Sequence, residues 1–250
     1  MADITSVIMV NASNVLSDEE VAGSVPAFQL FDDTVLRPAW SLVPCVYSFM
    51  TWAQFEAAYR GADGELHWPD GTAPMFLNEH STDPGALGFH EFDLNSVFGR
   101  VFVGDDVAYG VSPWVDASHE AFETRVDPLT NRTVPVPGGS GLALVEVGDP
   151  CEDDQFKIVM PAFPNYPMTD VVFPPYFGLP TAGVPGRYDY LGKLDGPCPK
   201  LLAGGYQSVL PEGASSWTQL TASLTPKAAW RIMSSRRAQR LAAFVPAAQP

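Results

Sequence analysis

The sequence predicts an α+β protein: a sheet with helices packed on it from Met1 to about Asp127, then a half built of loops and short strands. Three observations carry this. Ile4 to Val10 (Ile-Thr-Ser-Val-Ile-Met-Val) is an apolar, β-rich run of strand length, which reads as buried on both faces and central in a sheet. Ser17-Asp18-Glu19-Glu20 has capping-box spacing and opens a helix to about Trp40, limited by Pro26 near its start and Pro38 near its end. After Pro128 the texture changes: prolines and glycines become frequent, and from Val134 to Tyr206 no helical period survives.

The remaining elements follow in order. Val43 to Met50 reads as a second strand, Trp52 to Tyr59 as helical, and Ala73 to Asn78 as a third strand after the Pro69-Asp70-Gly71 turn. Gly99 to Val103 is a short strand ending in Gly104-Asp105-Asp106. Ser112-Pro113 then starts a helix, because Ser can cap free backbone N–H groups and Pro at the first helical position loses no hydrogen bond. Asp127-Pro128 closes it. Between Pro161 and Pro185 seven prolines alternate with Phe and Tyr, a texture that packs rings over a surface; a wrapped extension is the reading preferred over a lid or a binding face. With no internal repeat and no sharp linker, residues 1–230 form one domain. Residues 231–250 are a basic tail carrying Arg231, Arg236, Arg237 and Arg240, read as a solvated terminal helix or a disordered end.

Composition sets the bounds. The chain has 250 residues, enough for a full core, and 46% of them are hydrophobic. A formal charge of −15 argues against nucleic acid, whose phosphates need a basic surface. No stretch is long and apolar enough to span a bilayer and no secretory signal is visible, so no membrane partner is expected and the protein is read as cytoplasmic when made. Cys45, Cys151 and Cys198 are too far apart for a disulfide framework or a paired-cysteine zinc site, although one pair could form.

Chemistry is densest on the helix before Asp127. At about 100° per residue, Val115, Phe122 and Val126 form one apolar stripe. With His119 at zero, Glu123, Asp116, Asp127 and Glu120 follow at roughly 40°, 60°, 80° and 100°, so four carboxylates and an imidazole share the next quadrant. His119 and Glu123, four residues apart, can point at one ion, with Glu120 placed to take a proton from a water. That is the geometry of the H-E-x-x-H zinc helix with Glu for the second His, a harder donor set that suits Ca²⁺ or Mn²⁺ as well as Zn²⁺. An acidic, solvent-facing helix is the competing reading.

A further ligand is sought in Glu146-Val147-Gly148-Asp149-Pro150-Cys151-Glu152-Asp153-Asp154, about twenty residues on. Glu146 or Asp149 could ligate and the other orient His119 from behind; Cys151 could offer a thiolate or be a small buried thiol. An acidic turn is the alternative. The pattern Ser118-His119-Glu120-x-x-Glu123-x-x-x-Asp127-Pro128, followed by Glu146-x-Gly148-Asp149-x-Cys151, resembles that of zincin-like metallopeptidases, including relatives of plant exordium-type secreted proteins. A closer resemblance is to bacterial and phage proteins of this size, through Gly85-Ala86-Leu87-Gly88-Phe89-His90, Cys151-Glu152-x-Asp154-x-Phe156 and Leu202-x-Gly204-Gly205-Tyr206.

The resemblance implies a zincin-like fold, a mixed sheet packed with an active-site helix, with His119 and Glu123 as ligands, a further ligand from Glu146 or Asp149, and Glu120 as base. It makes Zn²⁺ the first expectation, ahead of Ca²⁺ or Mn²⁺. Thr124-Arg125 departs from the pattern, and Arg125, opposite the acids, is expected at the surface. His90 could hold a substrate oxyanion, bind metal, or simply hydrogen-bond in the core. His67 and His80 carry no visible partner. The function expected is a metal-dependent hydrolase of peptide or protein substrates. The alternative is a non-catalytic, virion-associated protein on the same fold, partnered by other phage-particle proteins and holding a structural ion or none.

Overall fold

The computed structural model describes residues 3–82, 87–93, 96–159, 165–181 and 186–222, and in it the apolar run becomes β1 (Ser6–Ala12). Side chains alternate across a strand, so Val7 and Met9 enter one core while Ile8 and Val10 enter another on the opposite face. Such a strand needs a neighbour on each edge. It pairs in parallel with β2 (Val46–Thr51) and β3 (Thr72–Asn78). Next to β3 runs β5 (Ser96–Phe102), parallel to it, and β4 (Gly88–Asp93) closes the edge antiparallel to β5. The sheet order is therefore β2-β1-β3-β5-β4, a mixed sheet in an α+β chain.

Ser17 caps α1 (Asp18–Phe31) with the anticipated capping box: its hydroxyl accepts from Glu20 N, and the Glu20 carboxylate accepts from Ser17 N. Helical backbone continues through a π turn at Asp32–Leu36 into α2 (Arg37–Trp40), where Ser41 in the left-handed conformation ends it. On the other face, α3 (Trp52–Tyr59) brings Phe55 edge-on to Phe76. The sheet then feeds a short helix, α4 (Val103–Ala108), so Val103 starts a helix rather than ending a strand, and Gly104-Asp105-Asp106 lies within it.

The acidic helix is α5 (Pro113–Val126), and all of its residues are buried. It lies against β3, β4 and β5 on one side and β9 (Tyr166–Thr169) on the other. Ser118 joins helix to strand, since its hydroxyl donates to Val115 O (2.9 Å) and accepts from Thr169 N (2.8 Å). The later half supplies this cover with short pieces: β6 (Thr133–Pro135), β7 (Leu142–Leu144), β10 (Tyr206–Leu210) and β11 (Thr218–Thr221) in one sheet, and β8 (Gln155–Ile158) paired with β9. Phe173, Tyr176 and Phe177, from the aromatic, proline-rich stretch, are fully or almost fully buried, as a wrapped extension requires. Pro161, Pro164, Pro185, Gly85, Ala86 and the basic tail lie outside the described residues, within which no helix is long and apolar enough to cross a membrane.

Enclosing α5 on both sides overturns the expectation for Arg125. The face opposite the acids is covered by the chain's first helix and the start of β1, not by water. Arg125 is 3% exposed and pairs with the equally buried Asp32, Nε to Oδ1 at 3.0 Å; it also donates to Val43 O at 2.7 Å and to Ile4 O. Burial pushes the Asp32 carboxyl up, and the guanidinium only partly offsets this. Removing one partner of a buried pair leaves an uncompensated charge, so Arg125→Met should lower stability by about 3–5 kcal/mol in urea unfolding. A loss below about 1 kcal/mol would show the pair to be dispensable.

A second buried polar device ties the loops. Asp170 Oδ1 accepts from Val171 N (2.9 Å) and Leu191 N (3.1 Å), and Asp189 accepts from Lys193 N and Leu194 N. Burial, with Asp189 beside it, raises Asp170 from its ordinary 3.8 to about 8. The folded protein thus keeps a proton that the unfolded chain releases near pH 4. This contribution is fully present below that pH and declines as pH rises toward 8. Asp170→Asn keeps the amide acceptor and cannot ionise. Its melting temperature relative to wild type should therefore rise between pH 5 and pH 8; a flat difference would rule out the raised carboxyl.

Candidate metal centre

Three segments converge under the enclosed face of α5. The helix supplies His119, Glu120 and Glu123; edge strand β4 supplies His90; the turn after β7 supplies Glu146, Asp149 and Glu152. All seven are buried, with His119, Glu120 and Glu152 each 5% exposed and Glu123, Glu146 and Asp149 sealed. The solvated-helix reading therefore falls away. Carboxylates outnumber imidazoles five to two in an interior where charge is costly unless paired.

The one-turn spacing does what the sequence suggests. His119 Nε2 lies 3.3 Å from Glu123 Oε1 and 3.2 Å from Asp149 Oδ1. Ligand atoms about 2.0–2.1 Å from a tetrahedral ion lie about 3.3–3.4 Å from one another, so these spacings are compatible with a tetrahedral ion. His119, Glu123 and Asp149 thus form one set able to hold a divalent ion. Glu146 instead belongs to a set with His90 and Glu123. Asp116 and Asp127, in the same helical quadrant, do not join these sets: Asp127 Oδ2 accepts from Arg132 N at 2.8 Å.

Orientation of His119 falls to a residue the sequence reading did not select. Glu152 Oε2 is 3.2 Å from His119 Nδ1, an ion-pair contact on that side of the ring, while Nε2 faces Glu123 and Asp149. The only sequence signal for it was its place in the acidic turn beside Cys151. Burial opposes charge on this imidazole, but Glu123 and Glu152, with hydrogen bonds to Asp149 and Glu123, hold His119 well above its ordinary pKa. A field that retains a proton at that nitrogen also favours a cation there.

His90 is no isolated core histidine. Its Nδ1 is 3.3 Å from Glu120 Oε2 and 3.5 Å from Glu123 Oε2, and its Nε2 is 3.1 Å from the carbonyl of Asp127. Its side chain is fully buried among these carboxylates. The carbonyl it meets is set by Asp127-Pro128: a residue before proline is pushed out of the helical region, and Asp127 has φ −132° and ψ 70°. His67 and His80, for which no partner was visible in sequence, form exposed pairs with Asp63 (2.8 Å) and Asp105 (2.9 Å).

Cys151, Asp170 and Asp189 form a third set with ligand-like spacing, but its carboxylates already accept four backbone amides. All three cysteines are free and buried; Cys151 is held far above its ordinary pKa by burial, as a small buried thiol rather than a ready thiolate.

Gly148 controls how the acidic turn meets the helix. Its N–H donates to Glu123 Oε1 at 3.2 Å, and a Cβ here would lie 2.5 Å from Nδ1 and 2.7 Å from Cε1 of His119. Gly148→Ala must displace the ring or the turn. It should weaken Zn²⁺ or Mn²⁺ binding by about 10–100-fold in calorimetric titration while circular dichroism stays near that of wild type. Unchanged affinity would mean that no ion uses His119. Comparison with protein-family models, with curated proteins and with solved structures finds no match to this chain.

Proposed function

We propose that this chain is a metal-dependent hydrolase of peptide bonds on a zincin-like fold. The observation that carries the reading is the set His119, Glu123 and Asp149 at tetrahedral-edge distances, with Glu120 on the same helix, 3.3 Å from His90. The mixed sheet with α5 packed on it supports the fold assignment. The donor set of imidazole and carboxylates fits Zn²⁺ first, and Mn²⁺ or Ca²⁺ as harder alternatives.

A bound divalent ion would supply electrophilic polarisation of the scissile carbonyl. The rest falls to the chain's own residues. Glu120 accepts a proton from the attacking water and passes it to the leaving amine nitrogen. Glu152 keeps the His119 ring fixed through Nδ1, and Asp149 and Glu123 hold the negative charge on its other side. A peptide is the favoured substrate class because β4, which carries His90, is the edge of the sheet. An edge strand is the kind of element that aligns an extended chain by main-chain hydrogen bonds.

Glu120→Gln separates catalysis from architecture, since Gln matches the size of a residue assigned no ligand role. The variant should keep its metal and fold but cleave a broad peptide library at least about 10²-fold more slowly, with Zn²⁺ or Mn²⁺ supplied. His119→Ala should lose the ion and melt at a lower temperature. Metal-loaded wild type that cleaves nothing in the library, with Glu120→Gln indistinguishable from it, would leave a structural ion on a non-catalytic protein.

A further inference from the structure

We propose that the centre is dinuclear, with the carboxylate of Glu123 bridging the position at His119 and Asp149 to a second divalent cation held by His90 and Glu146. The inference rests on the metal reading above and adds to it a position that no hydrolytic argument required. Its basis is the way one carboxylate is shared. Glu123 Oε1 faces His119 Nε2 at 3.3 Å and accepts from Gly148 N, whereas Oε2 faces His90 Nδ1 at 3.5 Å. The two sets of potential ligands, His119 with Glu123 and Asp149, and His90 with Glu123 and Glu146, have only Glu123 in common. A carboxylate with each oxygen turned to a different imidazole has the form that bridges paired ions about 3.5–4 Å apart in two-metal sites.

The surroundings of His90 supply a second geometric observation. The Asp127 carbonyl can only accept, so the nitrogen 3.1 Å from it, Nε2, carries the hydrogen. In the neutral ring this leaves the lone pair on Nδ1, directed between two acceptor oxygens, Glu120 Oε2 at 3.3 Å and Glu123 Oε2 at 3.5 Å. Nδ1 thus faces two buried carboxylates, an arrangement in which a shared cation offsets their charge. A backbone carbonyl on the far nitrogen is the usual support for a metal-ligating histidine. The fully buried Glu146 lies nearest the protonated nitrogen, with Oε2 3.8 Å from Nε2, and joins the set through a ligand atom within 4.8 Å of the others.

The two positions are close in size. His119 lies 3.2–3.3 Å from Asp149 and Glu123, and His90 lies 3.5 Å from Glu123. Mn²⁺, which accepts imidazole and carboxylate donors alike, therefore serves as the probe for both.

The test loads full-length, metal-free protein with Mn²⁺ alone and reads stoichiometry and electron paramagnetic resonance. The bridged pair should bind two ions per chain and give the exchange-coupled multiline spectrum of carboxylate-linked ions. His90→Ala and the isosteric Glu146→Gln should each reduce binding to one ion with an isolated-ion spectrum, and Asp170→Asn should leave both ions in place. One ion per wild-type chain, lost in His119→Ala and kept in His90→Ala, would overturn the pair and leave the mononuclear hydrolase standing, with a proton on His90. No bound ion at all would overturn both. Two ions without exchange coupling, one of them lost in Asp170→Asn, would reject the bridge and place the second ion at Cys151, Asp170 and Asp189.

Discussion

Everything about this protein turns on an acidic helix that has no wet side. α5 carries His119, Glu120 and Glu123 in a row, and the fold covers that row instead of leaving it in water. Burying carboxylates raises their energy by several kcal/mol each unless a compensating positive group is nearby. The acidic turn brings three more carboxylates to the same place. The rest of the architecture follows from making that concentration tolerable: a rigid mixed sheet fixes one wall, the wrapped half closes the other, and two imidazoles stand between acids that would otherwise repel.

The same constraint explains the division of labour along the chain. The first half is regular because β1, buried on both faces, must satisfy its backbone through strands on both edges. The second half has no such burden. It can be assembled from three- to five-residue strands and aspartate-anchored loops, provided it brings Val145, Val147, Met168 and Phe173 against the core and delivers its acidic turn to the helix. Long-range contacts of this kind form late in folding, since loop closure precedes any gain from the contact. A cation binding at the junction would couple completion of the fold to completion of the site.

Much of this could be read from the sequence, and the failures have a common physical cause. Periodicity placed His119 and Glu123 on one face, and the capping box at Ser17 and the apolar run at Ile4 located α1 and β1. Helical angles give the direction of a side chain but not what lies in that direction. Arg125 was placed correctly opposite the acids and wrongly in water, because its partner Asp32 is 93 residues away. Glu152 was hidden for the same reason: in a run of acids, only the turn around Gly148 decides which carboxylate meets Nδ1 and which meets Nε2. His90 needed the pairing of β4 with β5 before it could be brought beneath the helix. Spacing could not say whether Asp149 or Glu146 comes to His119; the turn brings Asp149 to it and Glu146 to His90.

Pro128 touches none of the proposed chemistry, yet the identity of one residue in the site depends on it. By ending α5 at Asp127 it turns a carbonyl outward that a longer helix would have directed along its own axis, and that carbonyl decides which nitrogen of His90 bears the hydrogen. Inherited variation should respect this. Loss of the imino acid after Asp127 would alter the tautomer of a histidine on β4, 38 positions earlier in the chain. The stop signal of a helix is here also an instruction to a ring.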